Sequence, residues 1–121
     1  KAIVECEKIL SADQNNPVIN LLCAIANLKG RGADRFPPDV IKKVEWHLKI
    51  ACLDSEIKPT ALIVWGLTKF DYLSVSRAHQ DPPFLADLKS QIEQNDVRLV
   101  DMEIVGMIKA SRTARRFLGL M

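Results

Sequence analysis

"QNNPVINLLCAIANLKG", Gln14 to Gly30, is the stretch whose reading decides the fold. Three polar residues and a proline lead into a run that is apolar except for Asn20 and Asn27. Such a run is a membrane span, a core helix, or the opening of a repeated unit. Length removes the first option. Only 12 residues separate the ends of the run at Pro17 and Leu28, and Lys29 and Arg31 close it, whereas a bilayer needs about 20 apolar residues. Pro17 suits the first turn of a helix, where its missing N–H would have no partner in any case. It also keeps the residue before it from continuing an earlier helix. The spacing therefore predicts a helix from Pro17 to about Leu28 or Lys29, ended by the glycines and prolines of "KGRGADRFPP".

The same alternation of breaks and apolar stripes extends in both directions. Upstream, Ala2, Ile3, Cys6, Ile9 and Leu10 fall on one helical stripe that stops at "DQNNP". Downstream, Val40, Ile41, Val44, Leu48, Ala51 and Cys52 stripe a helix from Asp39 to Leu53. Lys42, Lys43, Glu45 and Lys49 are mostly off that stripe, and His47, next to Trp46, is placed on the solvent side. "DSEIKP" ends the helix and Pro59 opens the next, from Thr60 to about Tyr72. After "SRAHQDPP", Phe84, Leu85, Leu88 and Ile92 stripe a helix ending near Gln94. Asp96 is a cap for a further helix with Val97, Val100, Ile104 and Met107 on one face. Ser111 starts a short last helix, "RTARRFLGL". No stretch alternates with period two, and no Asn-Gly or Asp-Gly hairpin signal occurs. The expected class is all-α, with six or seven helices.

Composition agrees. The 121 residues suffice for one domain with a core. A 48% hydrophobic and 26% charged content is that of an ordinary globular chain, and 6% aromatics leans it towards helix over strand. A net charge of +2 is too small to make nucleic acid or an anionic membrane the obvious partner. Cys6, Cys23 and Cys52 are odd in number, far apart and on apolar faces. They read as small buried hydrophobes in a reducing, intracellular and cytoplasmic setting. The opening KAIVECEKIL has no secretory pattern, and its first residues already read as mid-helix. The expectation is a piece of a longer protein.

The breaks repeat. Pro17 and Pro59 stand 42 residues apart, and Pro38 and Pro83 stand 45 apart, a period typical of helical pairs that stack into a solenoid. "KAIVECEKILSADQNNP" resembles the second helix of a tetratricopeptide repeat followed by the turn into the next. Ala2, Ile9, Leu10 and Asp13 fall in the family's places, with Gln14 where proline is usual. Ala24 and Ala51 match small packing positions, and Trp65-Gly66 matches a large-then-glycine pair. The unit from Pro17 to Lys58 exceeds the usual 34 residues by about eight, a surplus that the loop around Gly30 to Pro38 accommodates. The large aromatic usual in the first helix is missing from Asn20. The resemblance implies stacked antiparallel helix pairs in a right-handed α-solenoid fragment. On this reading 1–121 is a single domain, with repeat-like pairs over 1–94 and capping helices over 95–121.

The resemblance also implies a concave face lined by the first helix of each pair, suited to an extended peptide. The positions that clamp a carboxylate in one branch of the family are Leu21, Leu22, Ile25, Ile63 and Leu67 here, all apolar, so that clamp is not expected. The candidate groove is Leu21, Ile25, Leu28, Ile63, Leu67 and Phe70, with Lys29 and Asp71 as flanking polar contacts. Large exposed apolar surface is rare unless it binds something. The plainer reading, and the preferred one, is that these residues are simply core; otherwise the C-terminal helices fold back over the face, or a partner segment fills it, or two copies cover each other as a homodimer.

Signals for chemistry are sparse. His47 and His79 have no Cys or carboxylate at metal-ligand spacing, and Asp81 near His79 reads as a turn residue. No phosphate loop, nucleophile elbow or HExxH occurs, so no catalytic residue, metal or cofactor is assigned. The strongest charge feature is "KASRTARRFLGLM", where Lys109, Arg112, Arg115 and Arg116 follow Glu103 with no further acid. Such a basic amphipathic end can dock on an acidic partner, anionic lipid or nucleic acid, or simply favour the helix dipole. The expected function is a scaffold, adaptor or co-chaperone type of interaction module. The alternative is a nucleic-acid-binding module that uses the basic end.

Overall fold

A computed structural model describes residues 16–28, 32, 36–75, 83–95 and 97–120. These residues form six α-helices and one 3-10 turn, with no strand among them. The first predicted helix, with Cys6, lies outside the described residues, as do Lys29, His79, Asp81 and Asp96.

Helix α1 is Pro17–Leu28, the apolar run that begins at the first proline. The Asn16 side chain caps it by accepting from the Ile19 N–H at 3.1 Å. The two polar interruptions are satisfied from within. Asn27 donates to the Cys23 carbonyl at 2.7 Å, and Asn20 donates to the Asn16 carbonyl at 2.8 Å. Asn20 also meets His47 Nδ1 through its Oδ1 at 2.8 Å, so that ring nitrogen carries the proton between them. Burial of both amides is thereby compensated.

Helix α2, Pro38–Ala51, turns Ile41, Val44, Leu48 and Ala51 inward. It also buries His47, which is 3% exposed. The solvent-side placement of His47 is corrected. His47 stands three residues after Val44 and four before Ala51, and so lies on the inward stripe. Trp46, one residue earlier, is rotated out and is 49% exposed.

The chain leaves α2 through a turn in which Asp54 Oδ1 accepts from the N–H groups of Glu56 and Ile57 at 2.8 and 3.3 Å. Helix α3, Lys58–Val75, follows and is longer at both ends than the sequence suggests. Every residue from Pro59 to Lys69 is buried, so α3 has no outer face over that stretch. It touches α2, helix α4 (Leu85–Gln94), the turn Val97–Leu99, helix α5 (Met102–Gly106) and helix α6 (Arg112–Phe117). Helix α1 packs chiefly on α2.

The segment after α4 departs from the expected pattern. In place of one helix started at Asp96, a 3-10 turn precedes a five-residue helix. Asp101 caps it, accepting from the Glu103 and Ile104 N–H groups at 3.0 and 3.3 Å. The register shifts accordingly. Val105 and Ile108 are buried, whereas Met107, expected on the inner face, is 57% exposed. Ser111 begins α6 as expected, its hydroxyl accepting from the Ala114 N–H at 3.0 Å. Helix α6 ends at Gly119, whose φ of +74° suits glycine. The Gly119 and Leu120 N–H groups bond to the Arg116 and Arg115 carbonyls at 3.0 and 2.8 Å, which satisfies the last turn.

No described helix is long and apolar enough to cross a membrane.

Candidate partner-binding surface

Helix α3 contributes to two apolar clusters, which Ile92 and Ala110 border in common. Leu21, Ile25 and Leu28 of α1 belong to the first, with Val44, Leu48, Leu62 and Trp65. Ile63 and Leu67 belong to the second, with Val105, Ala114 and Leu118. The predicted groove residues therefore do not form one continuous face. The five aliphatic ones are buried. Phe70 is half-buried, its ring 5.2 Å from that of Phe117.

The covering of Ile63, Leu67 and Phe70 is the chain's own C-terminal segment, one of the outcomes open from the sequence. Contacts between three residue pairs hold it. Thr60 Oγ1 accepts from the Asp101 N–H at 2.9 Å. Asp71 accepts from the Ser111 N–H at 2.8 Å and from its hydroxyl at 2.6 Å, so Asp71 orients the cap of α6. Lys89 of α4 lies over the Phe117 ring, 4.7 Å from its centroid.

The basic residues sit on the outer side of this segment. Lys109, Arg112 and Arg116 are exposed, while Arg115 is half-buried and turns a guanidinium N–H to the Ile108 carbonyl at 3.4 Å.

A different surface lies where α2, α3 and α4 meet. A cleft of about 590 Å³ opens there. Leu62, Trp65 and Leu88 form its buried floor, and the exposed indole of Trp46 stands at its side. Lys42 and Lys49 of α2 and Lys58 of α3 line it as well. Two turns of α2 explain the arrangement. Lys42, Glu45, Trp46 and Lys49 are three, four and seven residues apart and share one helical face.

A polar staple fixes the cleft's geometry. Glu45 Oε2 accepts from the Trp65 indole N–H at 2.6 Å and from Lys69 Nζ at 3.0 Å. Lys69 also donates to the Pro83 carbonyl at 2.5 Å. The Lys69 side chain is only 4% exposed, so its charge needs these partners. The staple joins α2, α3 and the residue just before Phe84, the residue that precedes α4. Cys52 also lines the cleft. Burial pushes its thiol up from 9.0 to about 11, against a weaker opposing pull from the Lys58 charge, which leaves little thiolate at neutral pH.

Among the described residues, no group of three or more His, Cys, Asp or Glu side chains is placed to hold a metal ion. No protein-family model, curated protein or solved structure matches the chain.

The cleft was missed in the sequence because an inward stripe draws attention away from the outer face. Its signal was present: a tryptophan between two lysines at helical spacing, where a surface helix usually carries small or charged residues.

Proposed function

We propose that this chain is a non-catalytic protein-interaction module, built as tetratricopeptide-like stacked helix pairs, that holds a partner segment in an apolar groove. The pairs would be α1 with α2 and α3 with α4, which is supported by packing of each helix on the next in chain order. The groove we assign to the role is the cleft between α2, α3 and α4, because the Ile63, Leu67 and Phe70 side of α3 is covered by the C-terminal helices.

One observation carries this reading. Trp46 holds half of its surface in solvent beside a cleft whose floor is already apolar. Exposed tryptophan beside a concave apolar surface is the usual composition of an interface centre. The test is selection of peptides from a random-sequence display library on the whole chain, followed by titration of the selected peptides. Trp46→Ala, a change at an exposed position, should keep the helical circular dichroism and lower peptide affinity at least tenfold. Peptides that bind the variant as tightly as the parent would place the interaction elsewhere.

A second reading, nucleic-acid binding through Lys109, Arg112, Arg115 and Arg116, is favoured by the outward position of three of the four. It predicts binding that weakens steeply with salt and is lost when all four become Glu. We rank it second because Arg115 is directed back to the chain.

A further inference from the structure

We propose that the occupant of the α2–α3–α4 cleft is an acidic amphipathic protein segment, with one or two large apolar side chains seated beside Trp46 and carboxylates facing Lys42, Lys49 and Lys58. The proposal rests on the interaction reading above and names the chemistry of the partner.

The charge pattern is the argument. Among the described residues, three lysines line the cleft, and the one carboxylate is Glu45. That carboxylate already accepts from the Trp65 indole and from buried Lys69. It is thus neutralised from within and compensates none of the three. Lys42 and Lys49 are exposed and Lys58 is half-buried, and none of them is ion-paired among the described residues. Among the described residues, the cleft therefore presents an uncompensated positive rim beside an apolar floor. A partner that buries the floor must bring apolar groups, and one that satisfies the rim must bring negative ones.

The layout also favours a protein segment over a compact anion. Lys42 and Lys49 stand seven residues apart on α2, about 10 Å along its axis, and Lys58 belongs to α3, whereas a phosphate would need several donors converging on one point. Apolar centre with charged periphery is the anatomy of a protein interface. A volume of about 590 Å³ accommodates a few side chains of a peptide. Exposed charges of this kind act on association rate and partner choice more than on packing.

The experiment uses the whole chain and three forms of it: the parent, Trp46→Ala, and the triple variant Lys42→Glu, Lys49→Glu, Lys58→Glu. Each is panned against the same random-sequence display library, and selected peptides are synthesised and titrated by fluorescence polarisation. The parent should enrich peptides in which large apolar residues are flanked by Asp or Glu. The triple variant should enrich basic peptides in their place and bind the parent's acidic peptides roughly tenfold more weakly, as expected for the loss of three exposed ion pairs. Trp46-dependent peptides with no preference for acids, or an acid preference that survives the charge reversal, would overturn this inference and leave the interaction reading intact. Absence of any Trp46-dependent peptide would overturn both. Phosphatidylserine vesicles form a separate arm: if they sediment the parent but not the triple variant, and no acidic peptide binds, the rim serves a lipid surface and the proposal fails.

Discussion

The two sides of α3 are closed in different ways. On one side, Leu62, Val64 and Trp65 share a core cluster with residues of α1 and α2, helices of 12 and 14 residues with continuous inward stripes, and with Leu88 and Ile108. On the other, Ile63 and Leu67 meet helices of five and six residues. Helices that short have almost no stability of their own. They are held by what they touch: a threonine hydroxyl at Asp101, a carboxylate at Ser111 and the side chain of Leu118 against Gly66. The first side buries the larger cluster of side chains; the second buries a smaller one and adds a few placed polar groups. Regions of the second kind open locally at lower free energy than regions of the first.

Matched truncations on the two faces test that contrast with the largest effects. Leu62→Ala and Leu67→Ala each remove a buried side chain and should each destabilise by about 3 kcal/mol in urea unfolding. Their hydrogen-exchange patterns should differ. Leu67→Ala should lose protection first in α5 and α6 and leave α1 and α2 protected at the level of global unfolding. Equal loss throughout the chain would show that the two sides form one cooperative unit.

The staple at Glu45 gives the next effect. Glu45→Ala removes the carboxylate that faces both Trp65 and Lys69. Loss of a buried ion's partner costs about 3 kcal/mol, and the partial exposure of Glu45 places this case at or below that value. The double variant Glu45→Met, Lys69→Met should recover most of the loss, since a charge no longer has to be held in an apolar site. If the double variant is as unstable as Glu45→Ala, the hydrogen bond to Trp65 is the part that matters.

A smaller effect is expected at the C-terminal anchor. Asp71→Ala removes two hydrogen bonds to Ser111, worth about 1 to 2 kcal/mol together. Ser111→Ala removes one of these and the cap of α6. The two changes act on one network, so the double variant should fall short of the sum of the singles by about 0.5 kcal/mol or more. Strict additivity would mean that Asp71 and Ser111 stabilise the chain independently.

The breaks were the most legible part of the fold. Pro17, Pro38 and Pro59 each stand within the first two residues of a helix, and Phe84 immediately precedes α4. Proline and the residue before it restrict the backbone locally, so their meaning does not wait for tertiary contacts. Stripes were legible as stripes, but a stripe does not say what covers it. The division of Leu21, Ile25 and Leu28 from Ile63 and Leu67 depends on which neighbours arrive, and those lie far away in sequence. The same holds for Asn20 with His47, 27 residues apart, and Glu45 with Lys69, 24 apart. Phase failed where helices were shortest. Over five residues, Val105 and Met107 are nearly equal candidates for the inner face, and only the start at Asp101 decides between them. Of the candidate site, Trp46 among lysines was readable, but the floor of the cleft required knowing that α4 returns beside α2.

Gly66 offers the smallest effect and the finest test of how the second side is closed. A Cβ at this position would stand 2.9 Å from one Leu118 methyl, 3.2 Å from the other and 3.3 Å from Ile92 Cδ1. The first distance is too short, but the atoms met are the ends of side chains, and Leu118 sits on a short helix near the chain's end. Against the clash stands the preference of a helix interior for alanine over glycine, about 1 kcal/mol. The two terms nearly cancel, so Gly66→Ala alone should change stability by less than about 1 kcal/mol. Removing Leu118 separates them. In a Leu118→Ala background the same methyl has space, and Gly66→Ala should then stabilise by about 1 kcal/mol through helix propensity and partial filling of the vacated volume. The shift from a change near zero in the parent to a clear stabilisation in the Leu118→Ala background, read by urea unfolding, is the expected result. If Gly66→Ala is equally mild in both, Leu118 does not press on α3 in solution, and the C-terminal helices cover Ile63 and Leu67 more loosely than the packing of Leu118 against Gly66 implies.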